Sequence, residues 1–270
     1  MNVSVLSPPR PASGDFWAHL ARGWDRKSAL SLALLVGVGG LVGYRFSDLI
    51  DTSGGMDWLL AGTWIWMAAM LTWRVSLWHD LAYLAVGLVG GTVIEWWGTV
   101  TEIWSYFTLE RPPPWILPAW PIATLAIDRM ARMLDRGVDE LFGRRGIPDS
   151  WFFIAYAVSV PAFVVSMIAF ARHTAHLTAT QVVIALMAFV TLACRNPRRD
   201  FLLFGAGSFL GIFLEYWGTS RQCWTYYTGE VPPAVAAVAH GFAAIAFARG
   251  ADAVTRAFAW VQRRPAAVAP

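Results

Sequence analysis

Two glutamates, Glu95 and Glu215, lie in segments whose residue types and spacing could do chemistry. Burial in apolar surroundings favours the neutral form of a carboxylic acid, and a second carboxyl nearby favours it further. Such an acid can donate a proton, and the faces of nearby aromatic rings can stabilise the cation that forms. Both segments supply the same candidate substrate-binding residues, namely Trp97, Thr99, Trp104 and Tyr106 in the first and Trp217, Thr219, Trp224 and Tyr226 in the second. An acid among aromatic rings is typical of a site that protonates an alkene and shields the carbocation.

These two segments are copies of each other. Residues 91–113 and 211–233 align without a gap at an offset of 120, with 11 of 23 positions identical. The identities include the glutamates and the aromatic residues, and they are not confined to apolar positions. The chain is therefore predicted to be a tandem duplication. An ionisable residue inside a membrane segment is by default a candidate functional residue.

Three interpretations of the glutamates remain open from the sequence. Each could be a catalytic acid, part of a substrate or ion pathway, or a polar contact that only joins neighbouring helices. Within the pair, Arg221 favours ionisation of Glu215, whereas Glu102 favours the protonated form of Glu95. We therefore expect Glu95 to be the proton donor and Glu215 its ionised partner.

One histidine, His240, is also a candidate site residue. It falls within the last predicted span, at the position that the offset pairs with Trp120. It is predicted either to contact substrate or to be a satisfied helix contact. The chain has only five histidines, too few for a histidine-rich di-iron site, and it lacks phosphate-binding, dinucleotide-binding and zinc motifs. No cofactor and no metal are expected.

The composition predicts a multi-pass membrane protein. Of the 270 residues 57% are hydrophobic and 14% charged, and the mean hydropathy is +0.48. Eight stretches approach the length of a membrane span: 28–47, 57–78, 81–103, 115–134, 151–171, 179–194, 201–221 and 234–256. Many of the 16 tryptophans fall at span ends, as in an interfacial belt. Membrane lipid is thus an expected partner, and nucleic acid is not.

The distribution of Lys and Arg predicts the orientation. With the N-terminus in the cytoplasm, 17 of these residues fall inside and four outside, so both termini are expected to be cytoplasmic in a cell inner membrane. The offset maps the first four spans onto the last four, so the fold class is all-α, with eight transmembrane helices as two tandem parallel repeats. The predicted units are an N-terminal segment 1–27, repeats 28–134 and 151–256, a linker 135–150 and a tail 257–270.

Small residues at intervals of four predict a helix contact. Gly87 and Gly91 lead to Glu95 in one copy, and Gly207 and Gly211 lead to Glu215 in the other. Such stripes allow helix backbones to approach closely in lipid. The third and seventh spans are therefore expected to pack against each other near the pseudo-twofold axis.

The segment around each glutamate resembles the integral membrane carotenoid-biosynthesis family that includes the bisanhydrobacterioruberin hydratases. The matching residues are Glu95, Gly98, Tyr106 and Pro118 in the first copy and Glu215, Gly218, Tyr226 and Tyr227 in the second. The resemblance implies hydration of a terminal isoprenoid double bond through a tertiary carbocation, without a cofactor. It covers about 60 residues, and the duplication and the tryptophans at 97 and 217 depart from the family pattern.

The sequence thus predicts a cofactor-independent hydratase or cyclase acting on a lipophilic isoprenoid, with an intramembrane glutamate as general acid. The alternative is a non-enzymatic protein, either a permease for small molecules or ions or a structural subunit that binds other membrane proteins. A deep apolar cavity would favour the enzyme, and a polar path between both membrane faces would favour the permease.

Overall fold

A helix occupies the place of each of the eight predicted spans. The computed structural model describes residues 16–45, 47, 51, 57–142, 146–192 and 194–262. Its helices are α1 (Phe16–Ala21), α2 (Arg26–Arg45), α3 (Asp57–Thr72), α4 (Leu77–Val100), α5 (Ala119–Phe142), α6 (Asp149–Phe170), α7 (Thr178–Leu192), α8 (Pro197–Ser220) and α9 (Ala234–Gln262). A short 3-10 helix, Arg172–Thr174, precedes α7. Within these described ranges, four helices are long and apolar enough to cross a membrane: α4, α6, α8 and the Ala234–Trp260 part of α9.

The described residues are mostly helical, as predicted, and two short strands interrupt the helices. Strand β1 (Trp104–Tyr106) follows α4, and β2 (Trp224–Tyr226) follows α8. The two strands pair antiparallel, with Ser105 opposite Thr225. Since these two residues are counterparts at the offset of 120, a local twofold axis passes between the strands. Both copies of the repeated segment therefore meet at this ribbon.

Two of the predicted boundaries also differ from the structure. Helix α5 continues to Phe142, well into the predicted linker, and α9 continues to Gln262, into the predicted tail. The C-terminal half of α5 remains helical because it is amphipathic, and Asp135 and Asp139 on it bind Arg198 of α8. Most of the predicted N-terminal segment and of the tail lies outside the described residues.

Local sequence explains where α4 and α8 begin. Asn196 caps α8, its side chain accepting a hydrogen bond from the backbone N–H of Arg199 at 3.0 Å, and Pro197 occupies the first helical position. At the start of α4, the carboxylate of Asp80 accepts a hydrogen bond from the backbone N–H of Ser76 at 3.0 Å. The two 24-residue helices therefore start at counterpart residues.

The predicted contact between α4 and α8 is wrong. The glycines of α4 face α5, where an added Cβ at Gly91 would lie 2.2 Å from the ring of Trp120. The glycines of α8 face α9, where a Cβ at Gly211 would lie 2.5 Å from the carbonyl oxygen of Ala237. Each stripe thus makes room for the following helix of its own copy, which approaches with a ring at Gly91 and with its backbone at Gly211. As a result, α4 and α8 flank α5 and α9 instead of meeting at the axis.

Two tryptophans connect the short helices α3 and α7 to the long helices α8 and α4. The indole N–H of Trp217 on α8 donates a 2.9 Å hydrogen bond to Asp57 at the start of α3. The indole of its counterpart, Trp97 on α4, donates a 3.1 Å hydrogen bond to Thr180 on α7. Helix α3 therefore also contacts α8, and α7 also contacts α4, in addition to their neighbours in the same half of the chain.

Candidate functional site

The chain folds back sharply at the end of α4 and of α8, and this turn creates the site. Glu102 and Gln222 adopt left-handed backbone conformations, with φ of 59° and 54°. The next residue in each copy, Ile103 or Cys223, donates its backbone N–H to the carbonyl of Gly98 or Gly218. This arrangement is a Schellman motif, which ends a helix and reverses the chain direction. The strands are thereby returned over the helix ends.

In the first copy, this reversal places three donors on one carboxylate. Glu95 is 4% exposed. Its Oε2 accepts hydrogen bonds from the indole N–H of Trp104 at 3.2 Å and from the hydroxyl of Tyr106 at 2.8 Å. Its Oε1 accepts a hydrogen bond from the indole N–H of Trp120 at 2.9 Å. Because an indole N–H cannot accept, neither Trp104 nor Trp120 could take a hydrogen bond from a protonated Glu95.

The second copy repeats only part of this arrangement. Glu215 is 5% exposed, and its Oε2 accepts hydrogen bonds from Trp224 and from Tyr226, both at 2.9 Å. Its Oε1 has His240 in place of an indole, with Nε2 at 3.9 Å. The His240 Nδ1 lies 3.3 Å from the carbonyl oxygen of Ala236, which can only accept a proton. We assign the proton of neutral His240 to Nδ1 on this basis, which leaves Nε2 as an acceptor facing Glu215.

The rings of Trp120 and His240 lie against each other between the two glutamates. Their centroids are 5.5 Å apart, and their planes are 4° from parallel. These residues are counterparts at the offset of 120, on α5 and α9 respectively. The two half-sites therefore differ in chemistry at the point where they meet.

Both glutamates line one cavity of about 280 Å³. Its remaining walls are mainly apolar and aromatic, with Trp115 and Phe170 among the rings that enclose it. All of the predicted site residues line it except the two threonines, namely Glu95, Trp97, Trp104, Tyr106, Glu215, Trp217, Trp224, Tyr226 and His240. The volume is at the lower end for small-molecule pockets, so it suits one end of a long chain.

The two predicted threonines, Thr99 and Thr219, lie outside this cavity. Thr99 donates its hydroxyl to the backbone carbonyl of Glu95 at 2.7 Å, and Thr219 donates to that of Glu215 at 2.6 Å. These bonds occupy the hydroxyls within their own helices. Neither residue lines the cavity that holds the glutamates.

The charges on which the roles of the glutamates were predicted lie elsewhere. Arg221 is 3.2 Å from the carboxylate of Asp57, and Glu102 is exposed and paired with Arg111 at 2.8 Å. The charges of Arg221 and Glu102 therefore give no reason to treat Glu95 as the donor. The difference between the glutamates comes instead from Trp120 and His240.

Sequence reasoning missed Trp120 and two buried ion pairs. Arg129 of α5 binds Asp80 of α4 at 2.8 Å, and Arg249 of α9 binds Asp200 of α8 at 2.7 Å. All four residues are buried. The signal was available, because both the arginines and the aspartates are counterparts at the offset of 120. In the part of the chain that the structure describes, no group of three or more His, Cys, Asp and Glu side chains is placed to hold a metal ion.

Comparison of the chain with family models, with curated proteins and with solved structures gives no match. The case for a function therefore depends on the geometry of the site.

Substitution of Gly98 by alanine is expected to disturb the site, because the ring of Trp104 occupies the space of a Cβ. An added Cβ at Gly98 would lie 1.9 Å from this ring. The ring must move, its bond to Glu95 is lost, and we expect the free energy of unfolding to fall by about 1–3 kcal/mol. Thermal unfolding in detergent with near-ultraviolet circular dichroism measures both effects. Gly205→Ala on α8 is the control, because a Cβ there meets nothing within 4 Å. Equal stability of the two variants would contradict the role of Gly98.

Proposed function

We propose that this protein is a membrane-embedded enzyme that uses the two glutamates for acid–base chemistry on the end of a lipophilic isoprenoid. The observation that carries the proposal is the cavity of about 280 Å³ in which two buried carboxylates face aromatic walls. The apolar walls suit a hydrocarbon, and the ring faces suit a developing cation. The resemblance to carotenoid hydratases is consistent with this chemistry and does not carry it.

In the proposed reaction, Glu215 gives its proton to a terminal double bond. A C–H bond forms, the π bond breaks, and a tertiary carbocation and a carboxylate result. The cation is then consumed in one of two ways. Either water adds and returns a proton to the carboxylate, as in a hydratase, or another double bond attacks and a neighbouring C–H bond gives up the proton, as in a cyclase. No cofactor enters either sequence.

Hydrogen-bond partners support assigning the proton to Glu215. A proton on its Oε1 points towards the acceptor Nε2 of His240, 3.9 Å away, and leaves the bonds from Trp224 and Tyr226 intact. At Glu95 both oxygens already accept from donors. We therefore propose the opposite division from that expected on the sequence, with Glu215 as the acid and Glu95 as the carboxylate that stabilises the cation.

The enzyme is favoured over the permease by the packing on the inner side of the cavity. The cavity ends at Ala123 on α5 and Ala243 on α9. Beyond it, Ala126 and Ile245 are 0% exposed, and the buried pair of Arg129 and Asp80 follows. A tightly packed apolar layer here opposes a polar path across the membrane. A deep cavity with two carboxylates also favours an enzyme over a purely structural subunit.

We further propose that eight helices span the inner membrane as two parallel repeats. Both termini and the two buried arginine–aspartate pairs then lie towards the cytoplasmic side. The ribbon of β1 and β2 then lies at the outer face. Exposure supports the interfacial belt, because Trp17, Trp58, Trp78, Trp151 and Trp260 at predicted span ends are all more than half exposed.

This topology predicts which positions a membrane-impermeant thiol reagent reaches in intact cells. A cysteine at Glu230, in the exposed turn after β2, is expected to react, whereas one at Glu140, near the end of α5, is expected to react only after the cells are opened. The background chain has Cys194 and Cys223 replaced by serine. Reaction at position 140 in intact cells would contradict the orientation.

The proposed activity can be tested by mass spectrometry of lipophilic molecules that co-purify with the protein. If Glu215→Gln traps the enzyme before protonation, it should carry the substrate, whereas the natural chain should carry the product or a mixture. The mass difference identifies the reaction, since hydration adds one water and cyclisation leaves the mass unchanged. Identical lipids on both proteins would count against an enzymatic role.

A further inference from the structure

A second space lies beside the ribbon, on the side of the site away from the apolar cavity. It measures about 350 Å³ and is lined by polar and charged residues together with aromatic ones. At its mouth are Glu102, Glu110 and Arg111, all of them exposed. We call this space the outer chamber. It has room for several water molecules and enough polar groups to hold them.

Three aromatic residues line both the outer chamber and the apolar cavity. Trp104, Tyr106 and Tyr226 line both spaces. These same residues donate hydrogen bonds to the glutamates: Trp104 and Tyr106 to Glu95, and Tyr226 to Glu215. A single aromatic layer therefore separates a polar chamber from two buried carboxylates.

We propose that the outer chamber is an aqueous access site, through which water on the outer face exchanges protons with Glu215 by way of Tyr226. A hydronium ion in the chamber gives a proton to the tyrosine oxygen while the tyrosine hydroxyl passes its own proton to the carboxylate. One O–H bond breaks and one forms at the tyrosine, which ends unchanged, and the hydronium ion becomes water. The inference rests on the proposed use of Glu215 as the acid.

The chamber is built mainly by the first copy, and this asymmetry provides a matched control. Glu110 and Arg111 line its mouth, whereas their counterparts Glu230 and Val231 are equally part of an exposed turn and do not line it. A bulky group attached at position 110 should therefore close the chamber. The same group at position 230 should leave it open.

The test is hydroxyl-radical footprinting of the full chain in nanodiscs of phosphatidylethanolamine and phosphatidylglycerol, with radicals generated from water by X-rays. Trp104 is compared with Trp97, which lines only the apolar cavity, and Tyr106 with Tyr156, which lines neither space. Tyr106 and Tyr156 are 4% and 2% exposed, so exposure alone does not separate them. Water in the chamber should make Trp104 and Tyr106 oxidise several-fold faster than these references.

The decisive step uses the variants Glu110→Cys and Glu230→Cys, without the two natural cysteines, each labelled with a sulfonated dye maleimide. The label at 110 should slow oxidation of Trp104 and Tyr106 several-fold, and the label at 230 should not. The inference is overturned if both residues are as unreactive as their references, if the label at 110 has no effect, or if both labels protect equally. Because footprinting needs no turnover, its failure is distinct from the failure of the lipid analysis, which tests the proposed function.

Discussion

Glu215→Gln is expected to lower conversion of the lipophilic substrate by about 100-fold or more, the usual contribution of a general acid. Glutamine can keep its carbonyl oxygen on Trp224 and Tyr226 and turn its amide N–H towards His240. The fold should therefore be retained while the proton is lost. Turnover of the co-purifying lipid, followed by chromatography and mass spectrometry, measures the effect.

Glu95→Gln provides the contrasting variant. An indole N–H, which can only donate, faces each carboxylate oxygen, so the amide nitrogen must meet the N–H of Trp104 or of Trp120 whichever way it turns. Leaving such a buried group unsatisfied costs about 1–3 kcal/mol of stability. We expect this variant to be less stable than Glu215→Gln in thermal unfolding. Full activity of Glu215→Gln, or equal destabilisation by both substitutions without selective loss of conversion, would instead favour glutamates that only join helices.

Arg129→Ala is expected to destabilise the protein by about 3–5 kcal/mol, because it leaves Asp80 buried without its counter-ion. Arg129 is 0% exposed and bonds both Asp80, at 2.8 Å, and the backbone carbonyl of Trp73. Removal of the arginine therefore also leaves that carbonyl without this donor. Thermal unfolding in detergent gives the measurement.

The control for this substitution is an exposed ion pair. The side chains of Arg111 and Glu102 are 54% and 71% exposed. Arg111→Ala breaks their contact and should lower the free energy of unfolding by less than about 1 kcal/mol. Arg249→Ala, at the counterpart of Arg129, should behave as Arg129→Ala does. A loss of stability in Arg129→Ala no larger than that in Arg111→Ala would show that the buried pair does not stabilise the fold.

The positions of the helices could be predicted from the sequence because hydropathy is a property of the chain itself. The correspondence between Glu95 and Glu215 could be predicted as well, because it follows from the offset of 120. What the glycines would contact could not be predicted. A stripe of small residues indicates that another helix approaches closely, but it does not indicate which one. Only the structure identifies Trp120 and Ala237 as the neighbours.

The ribbon of β1 and β2 could not be predicted from the sequence either. Its strands have three residues each, too short for a pattern of alternation to appear. Their pairing depends on the reversal at Glu102 and Gln222, residues that do not usually adopt a left-handed conformation. Likewise, the short distance in sequence between Arg221 and Glu215 suggests that the two charges interact. In the structure Arg221 instead binds Asp57, which belongs to a helix far away in the chain.

The facing rings of Trp120 and His240 have a consequence for the history of the molecule. Two identical chains associated about a twofold axis would present the same residue at both positions, so they could offer only two indoles or two imidazoles. Joining the copies in one polypeptide removes that restriction, since each position can then be selected separately. Fusion thus makes available a difference in chemistry that a symmetric dimer cannot encode, with an indole beside one glutamate and an imidazole beside the other.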